Sequence, residues 1–431
     1  MIFATIYCNP ITAKVMKKLY TVLALSAIAG ISVMFVSCEK DKGDPVPGDP
    51  VKIDLSVAQK TIVDQANKFA FEIFTPIVAG ETKGTGNMMI SPFSITSALS
   101  MVLNGAAGET FDAVRHTLQY DEKTLQEINE TYLKLMEDMI PVDPRVTMEI
   151  ANSVWLEKRL VVKQPYVDAL KKWYLAEARN IDASDPAAVD IVNGWIEEKT
   201  HDRIQDMLDY LSPDLAMLLI NAIYFDGKWR HQFDKDDTSD MPFYVTPDSP
   251  VDVPMMYQEE NFAVTHTGNA TLAELPYGQG NYSMVVMLPD ENVTPSEAAA
   301  TLNPSDWDRW MQDLSMGASE VQLSLPKFEY EYKRELKDDL AAMGMGIAFS
   351  PGAADFSNIT DQDIFISRVL HQTFIKNDEE GTEAAAATVV EFEFTSMPSV
   401  TVVNVNRPFL YFIRETTTGT IVFMGLVVDP R

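Results

Sequence analysis

The chain has 431 residues, of which 63 are acidic and 34 basic, so its formal net charge at pH 7 is −29. Such an acidic surface repels nucleic acid and anionic lipid headgroups, and we expect no nucleic-acid partner. Cys8 and Cys38 are the only cysteines, which excludes a disulfide framework. A chain of this length can nevertheless bury a core large enough to fold without one.

The first 55 residues lack the pattern of a folded domain. Residues 1–15 precede a better start at Met16 and are interpreted as an upstream extension. Residues 16–37 begin with lysines and continue as an apolar run up to Cys38, which is typical of a signal peptide. The same run is alternatively long enough to span a membrane as a helix. Residues 38–55 are polar and rich in proline, which predicts a tether.

The cysteine at the end of the apolar run resembles the lipidated residue of bacterial lipoproteins. This resemblance implies a lipid anchor on Cys38, the first residue of the mature chain. The acidic and lysine residues at 39–42 resemble signals that export lipoproteins to the cell surface. The resemblance therefore implies an exported protein, anchored at the outer membrane or cell surface and facing the extracellular side.

Periodic patterns after residue 55 predict helices first. Apolar residues from Ile62 to Ile73 recur at helical spacing. The pair Ser91–Pro92 predicts a helix N-terminus, with serine as the cap and proline in the first turn. Small and apolar residues continue this helix on most of its faces, so we expect it to be central. Helical patterns with acidic faces fill much of residues 109–210.

Strand patterns dominate the second half of the chain. Alternating or β-rich runs predict strands at residues 321–325, 328–332, 399–405, 409–413 and 420–428. Helices precede most strands, and neither a linker nor an internal repeat divides residues 56–431. The sequence therefore predicts one α+β domain with large mixed sheets.

Signatures of catalysis are missing from the sequence. Its five histidines do not lie at metal-ligand spacing, and it contains neither an HExxH motif nor a nucleophile elbow of the G-x-S-x-G type. A glycine loop that could hold phosphate is also missing. The sequence predicts no metal site, no cofactor and no enzymatic activity.

Several long stretches, in one order over residues 56–431, resemble the serpin family. They include NMMISPFSITSALSMVLNGAAGET (87–110), INAIYFDGKW (220–229), LSLPKFEYEYKREL (323–336), ADFSNIT (354–360) and NVNRPFLYFI (404–413). The resemblance implies a monomeric serpin fold, with about nine helices around three β-sheets and an exposed reactive loop at about residues 379–400. Most serpins inhibit serine proteases, some inhibit cysteine proteases, and some are non-inhibitory carriers or chaperones.

The reactive loop has the pattern that inhibition needs. In inhibitory serpins a protease cleaves this loop, and the freed segment inserts as a new strand in the main sheet. A strand sends alternate residues to opposite faces. Counted from Gly381, one face of the segment is uncharged and the other carries Glu383, Glu391 and Glu393. Apart from Glu383, which lies on the charged face, the predicted hinge consists of small residues; its members are Gly381, Thr382, Glu383, Ala384, Ala385, Ala386 and Ala387.

Two other interpretations of this segment remain open from the residues alone. The alanine run could form a short helix, although the β-branched residues that follow at 388–390 oppose it. The alternation could also belong to a permanent strand. A hinge with charged, bulky or proline residues would favour a non-inhibitory serpin, and this hinge has threonine and four alanines instead.

The position of the cleaved bond follows from the family's loop length. Counting fourteen residues on from Gly381 gives Thr395, so that the reactive bond would be Thr395–Ser396, with Phe394 as the alternative. Counting back from Pro408 instead places the cleaved bond at Met397–Pro398. A proline after the bond would block most serine proteases, so cleavage there is not expected. Residues 382–406 contain neither lysine nor arginine. The predicted partner is therefore an elastase-like, chymotrypsin-like or subtilisin-like serine protease.

The resemblance also implies a polar latch, or shutter, beneath the central strands. The matching residues are Ser91, Ser94, Asn221 and His371, and a hydrogen bond between His371 and Asn221 is expected. A histidine on an apolar strand is also typical of an ordinary buried core residue with satisfied hydrogen bonds. Both interpretations predict a buried and paired imidazole.

Overall fold

The computed structural model describes residues 48–81, 86–213, 215–381 and 400–431. The predicted signal peptide, Cys38 and loop residues 382–399 lie outside these ranges, and with them the predicted reactive bond. Within these ranges, the structure contains no helix that is both long enough and apolar enough to cross a bilayer.

Nine α-helices lie in the described ranges. They are α1 (Val57–Glu81), α2 (Pro92–Gly105), α3 (Gly108–Thr117), α4 (Leu125–Met139), α5 (Gln164–Tyr174), α6 (Ala188–Lys199), α7 (Pro295–Ala299), α8 (Pro304–Ser315) and α9 (Lys337–Ala342). Two short 3₁₀ turns, Lys235–Asp237 and Met345–Phe349, accompany them.

The described ranges also contain fourteen β-strands. The first seven are β1 (Met88–Ile90), β2 (Val146–Glu157), β3 (Glu177–Ile181), β4 (Met217–Gly227), β5 (Ser239–Thr246), β6 (Ser249–His266) and β7 (Ala270–Tyr277). The other seven are β8 (Tyr282–Pro289), β9 (Ser319–Pro326), β10 (Phe328–Glu335), β11 (Leu370–Asn377), β12 (Thr401–Asn404), β13 (Phe409–Glu415) and β14 (Ile421–Val427).

The strands form three sheets in the described part of the chain. The largest has nine strands in the order β1-β14-β13-β8-β7-β6-β9-β12, with β5 paired to β6. A second sheet has the order β3-β2-β4, and a third consists of β10 and β11. Nine helices around three sheets confirm the predicted α+β architecture.

Helix α2 is central, as its composition predicts. Ser91 caps its N-terminus by accepting a hydrogen bond from the Ser94 N–H, and Pro92 occupies the first turn. Every residue of the helix except Ala98 is buried. Its C-terminal Gly105 packs so closely against Ile359 that an added Cβ would lie 2.3 Å from that side chain.

The predicted strands at the C-terminal end agree with β12, β13 and β14. The region 109–210 differs from its prediction, because it contains the twelve-residue strand β2 and the short strand β3 among its helices. Strand β2 is buried over its second half, where the alternating pattern that identifies a half-exposed strand is lost. Sequence periodicity therefore could not separate it from the neighbouring helices.

The end of the predicted tether lies against the domain. The Asn281 side chain accepts a hydrogen bond from the Val51 N–H at 2.8 Å and donates one to the Val51 carbonyl at 2.7 Å. Ile53 is buried in the core cluster, and its N–H donates to the Thr417 hydroxyl. Residues 51–53 are thus fixed to the fold.

Candidate functional site: a gap between two strand edges

The most unusual feature of the fold is a gap between β4 and β11. Strand β4 pairs with β2 along eleven residues, and β11 pairs with β10 along eight. Among the described residues, no ladder joins the facing edges of β4 and β11. Unpaired strand edges expose N–H and C=O groups that can accept another strand.

Both edges run in the same direction. The starts of the two strands, around Asn221 and His371, line one cavity. Their ends meet at an isolated bridge between Lys228 and Gly381. The bridge is antiparallel, so a strand that entered the gap from Gly381 would run antiparallel to both edges.

Gly381 is the only predicted hinge residue within the described ranges, and it is held tightly. A turn from Asp378 to Gly381 reverses the chain after β11, with a hydrogen bond from the Asp378 N–H to the Gly381 carbonyl. Gly381 has φ +136°, and a Cβ at this position would lie 2.1 Å from the Gly227 carbonyl oxygen. Only glycine fits a backbone of this kind packed this closely.

A charged cluster fixes the turn at the upper end of the gap. Glu379 is 4% exposed, and its carboxylate accepts hydrogen bonds from the Lys327 ammonium at 2.7 Å and the Thr238 hydroxyl at 2.8 Å. Burial by itself would raise the pKa of Glu379, but these donors outweigh burial and lower it. The adjacent Glu380 forms an ion pair with Lys235. The turn is therefore bound to two other elements.

Trp229 completes this upper cluster. Its indole N–H donates to the Asp378 carbonyl at 3.0 Å, and its backbone N–H donates to the Glu380 carbonyl at 2.9 Å. Its ring stacks on Tyr277 with the centroids 4.3 Å apart. Sequence reasoning missed Trp229, Lys327 and Glu379. All three lie in or beside quoted motifs, but only the fold shows that the motifs meet.

The N-terminus of α2 holds β11 at the lower end of the gap. The Ser91 N–H donates to Nε2 of His371 at 3.0 Å, and the Ser91 hydroxyl donates to the Val422 carbonyl at 2.7 Å. Burial lowers the pKa of His371 to about 4, so its ring is neutral at pH 7. Since Nε2 accepts a hydrogen bond, the single ring proton lies on Nδ1.

The same helix also holds β4. The Ser94 hydroxyl donates to Oδ1 of Asn221, and the Asn221 amide donates to Oδ1 of Asn152 on β2. The expected hydrogen bond between His371 and Asn221 is wrong. Each residue bonds instead to the first turn of α2, because this turn supplies a free N–H and a hydroxyl directly beneath the two strands.

Sequence reasoning also missed Asp226, near the upper end of β4. One of its carboxylate oxygens is buried and has no hydrogen-bond partner in the described part of the chain. Burial raises the pKa of Asp226 to about 6, against the opposing effect of nearby cations such as Lys228. An unpartnered carboxylate oxygen is costly, and this one lies on the strand that borders the gap.

The other predicted site residues lie outside the described residues. They are Cys38, Thr382, Glu383, Ala384–Ala387, Phe394, Thr395 and Ser396. The described residues also contain no group of three or more histidine, cysteine or acidic side chains that could hold a metal ion.

A family model described as serpin (serine protease inhibitor) matches residues 64–430. A serpin-like protein of Methanosarcina acetivorans is 35% identical over 87% of this chain and 89% of its own length. The human leukocyte elastase inhibitor is 32% identical, over 84% of this chain and 98% of its own.

Solved structures share the same fold. Human thyroxine-binding globulin, 27% identical, superposes with a TM-score of 0.79 over 87% of this chain and 100% of its own. The thermophilic serpin tengpin in its native state, 30% identical, superposes with a TM-score of 0.77 over 89% of this chain and 97% of its own.

Replacing Glu379 by glutamine should weaken the upper cluster. Lys327 would lose its carboxylate partner, and we expect the free energy of unfolding to fall by about 2 kcal/mol. Thermal and urea unfolding measure the change. Glu329→Gln, on the exposed face of β10, is the matched control and should leave stability unchanged. Equal stability of the two variants would show that the Glu379–Lys327 pair does not stabilise the turn.

The buried imidazole should make stability depend on pH. His371 has a lower pKa folded than unfolded, so its contribution is complete above pH 6.5 and is lost as the pH falls towards 4. The pKa of Asp226 is raised in the folded protein, so its contribution to the free energy of unfolding increases as the pH falls from 6 to 4. The His371→Gln variant keeps an acceptor for the Ser91 N–H and therefore isolates the histidine.

We expect the stability advantage of the wild type over His371→Gln to shrink between pH 6.5 and 4, by on the order of 3 kcal/mol. Urea unfolding at several pH values in this window measures the difference. Parallel pH curves for the two proteins would rule out the neutral buried ring.

Proposed function

The chain belongs to the serpin family, and we propose that it is an inhibitor of serine proteases that is consumed by its target. In this proposal a protease cleaves the reactive loop and becomes attached to it as an acyl-enzyme. The freed loop then enters the gap between β4 and β11 and carries the protease with it. The leukocyte elastase inhibitor is a relative whose name describes such a target class.

One observation carries the proposal, namely the isolated bridge at the upper end of the gap, where the first hinge residue already pairs with the residue that follows β4. Gly381 pairs antiparallel with Lys228 at the upper end of β4. Continued residue by residue, this register would lay the loop along β4 as far as Met217 at the other end. Thr388 would then come opposite Asn221, between the two strands that α2 holds.

The energy available from insertion is sufficient for trapping. Fourteen residues at about 3.3 Å each span roughly 46 Å, enough to carry an attached protease from one end of the domain to the other. Each new ladder hydrogen bond contributes on the order of 1 kcal/mol. Distortion that removes one oxyanion-hole donor slows deacylation by about 10²- to 10³-fold. A few of the new hydrogen bonds would therefore be enough to stall the protease.

The small residues of the hinge support insertion over the carrier function. Side chains that enter a gap between two packed strands must be small or apolar on the inner face. Thr382, Ala384 and Ala386 meet this requirement, and the glutamates fall on the other face. We propose cleavage at Thr395–Ser396 by an elastase-like, chymotrypsin-like or subtilisin-like protease, with cleavage after Phe394 as the alternative.

We further propose that a lipid on Cys38 anchors the protein to an outer membrane or cell surface. The described residues begin at Gly48, whose carbonyl already accepts a hydrogen bond from the Arg230 guanidinium at 3.1 Å. About ten residues therefore separate the lipid from the domain, and they would span up to roughly 35 Å when extended. This length leaves the reactive loop accessible to a soluble protease.

Incubation with chymotrypsin, elastase, subtilisin and papain tests the inhibitor function. We expect an adduct that resists SDS with at least one serine protease, because the acyl bond is covalent. The released C-terminal fragment should start at Ser396, or at Thr395 if the bond follows Phe394. Protein that has been nicked in the loop should also melt at a higher temperature than the intact protein, because it has gained a strand.

Thr382→Arg tests whether inhibition requires insertion of the loop. Thr382→Val is the control, because valine has nearly the shape of threonine and should still enter the gap. The arginine should prevent entry of the hinge, so that the protease cleaves the variant without forming an adduct. A fully inhibitory Thr382→Arg variant would contradict insertion. Cleavage by every protease without any adduct, or a nicked protein that melts no higher than the intact one, would instead favour a carrier.

Phase separation in a nonionic detergent tests the lipid anchor. Wild-type protein expressed in a bacterium should partition into the detergent phase, and Cys38→Ser should move to the aqueous phase if its signal peptide is still removed. Cys8→Ser is the matched control and should behave like the wild type. Mass spectrometry of the mature N-terminus identifies the lipid, and an unmodified Cys38 would refute the anchor.

A further inference from the structure

A cavity of about 330 Å³ opens at the lower end of the gap. Its walls are one face of α2, residues from 207–212 and 215–216, the start of β4 and the chain that leads into β11. Most of the lining side chains are aliphatic. A dry apolar cavity of roughly 150 Å³ accepts benzene, so this one has room for a molecule of two aromatic rings.

One polar group on the cavity wall lacks a partner. His371 is 5% exposed and lines the cavity. Its Nε2 accepts a hydrogen bond from the Ser91 N–H. Its Nδ1, which carries the proton, has no hydrogen-bond partner among the described residues. The polar side chains of Ser94 and Asn221, which line the cavity on α2 and β4, bind each other. The cavity therefore offers one buried donor in an apolar surrounding.

The mouth of the cavity favours a neutral ligand. Arg368 lies there, but its guanidinium is paired with Asp209 at 3.2 Å and Glu335 at 3.3 Å. The strongly acidic chain would repel an anion, and the cavity lining in the described part of the chain includes no aspartate or glutamate that could pair with a cation. Tyr210 and Phe365 also line the cavity and are exposed by 54% and 42%. Exposed aromatic side chains beside an apolar cavity are typical of a small-molecule site.

We propose that this cavity binds a neutral, mainly apolar small molecule, about two rings in size, whose carbonyl or ether oxygen accepts a hydrogen bond from Nδ1 of His371. The bound molecule lies between Asn221 and His371, where an inserting strand has to pass. It therefore slows loop insertion and regulates inhibition, a consequence that rests on the proposed function. The binding site itself does not depend on that function.

The probe for the test is 6-propionyl-2-(dimethylamino)naphthalene, a neutral two-ring ketone that fluoresces at shorter wavelength in an apolar site. Titration of the intact full-length wild type should give saturable binding of one molecule per chain. 5-(Dimethylamino)naphthalene-1-sulfonate, which has the same dimethylaminonaphthalene rings and a negative charge, should bind at least tenfold more weakly. Tighter binding of the sulfonate would overturn the preference for a neutral ligand.

Two variants locate the bound probe. Ala216→Phe and Leu215→Trp each add bulk to a half-buried position on the cavity wall and should weaken binding at least tenfold. Ala353→Phe, at an exposed position away from the cavity, is the matched control and should bind like the wild type. Unchanged thermal unfolding would show that the variants remain folded. No saturable binding to the wild type, or equal binding to all variants, would overturn the proposal.

A kinetic measurement separates this inference from the proposed function. Saturating probe should slow adduct formation of the wild type but not of Ala216→Phe. If the probe binds but the rate of adduct formation is unchanged, the proposed regulation of inhibition is wrong, while the proposed binding site is confirmed. If no protease forms an adduct, the proposed function fails, and the titration still decides whether the cavity binds ligand.

Discussion

The fold depends on two strand edges that face each other without pairing. Hydrogen-bond groups at a strand edge normally find a partner or are covered, and the edges of β4 and β11 have no ladder partner in the described part of the chain. The protein keeps them in place by binding each edge to other elements. The intact structure is thus held by side chains where backbone hydrogen bonds would ordinarily hold a sheet.

These side chains act at the two ends of the gap. Below, the first turn of α2 binds His371 on one strand and Asn221 on the other. Above, Glu379 and Trp229 fix the turn that follows β11. Each contact contributes only a few kcal/mol at most. On the proposed function, contacts of this size would hold the two edges in place in the intact protein and still be overcome by an inserting strand that supplies about ten new hydrogen bonds.

The sequence predicts the architecture more fully than it predicts the contacts between side chains. Periodicity and capping locate α1 and α2, and the long motifs identify the family and therefore the fold. The alternation after Gly381 depends only on neighbouring residues, so it could be analysed without a structure. The sequence pattern did not predict strand β2, because apolar and polar residues do not alternate in its buried half.

Contacts between distant residues could not be predicted in the same way. Lys327 and Glu379 are 52 residues apart, and Ser91 and His371 are 280 apart. Nothing in the local sequence distinguishes these residues from other charged or polar ones in so acidic a chain. The partner of His371 was assigned wrongly for this reason. The resemblance was sufficient to predict a polar latch made of Ser91, Ser94, Asn221 and His371, but only the fold shows which of these residues bind each other.

The close approach of Gly381 to the Gly227 carbonyl limits how such a protein can become more robust. On the proposed function, mutations that pair β4 with β11, or that replace Gly381 by a larger residue, would change the intact protein at the place where the loop has to enter. Stabilising substitutions there would reduce the free-energy difference between the intact form and the proposed inserted form. On the same proposal, stabilising substitutions belong instead in the nine-stranded sheet and its helices, where packing such as that of Trp307 on Phe412 can improve without affecting loop insertion.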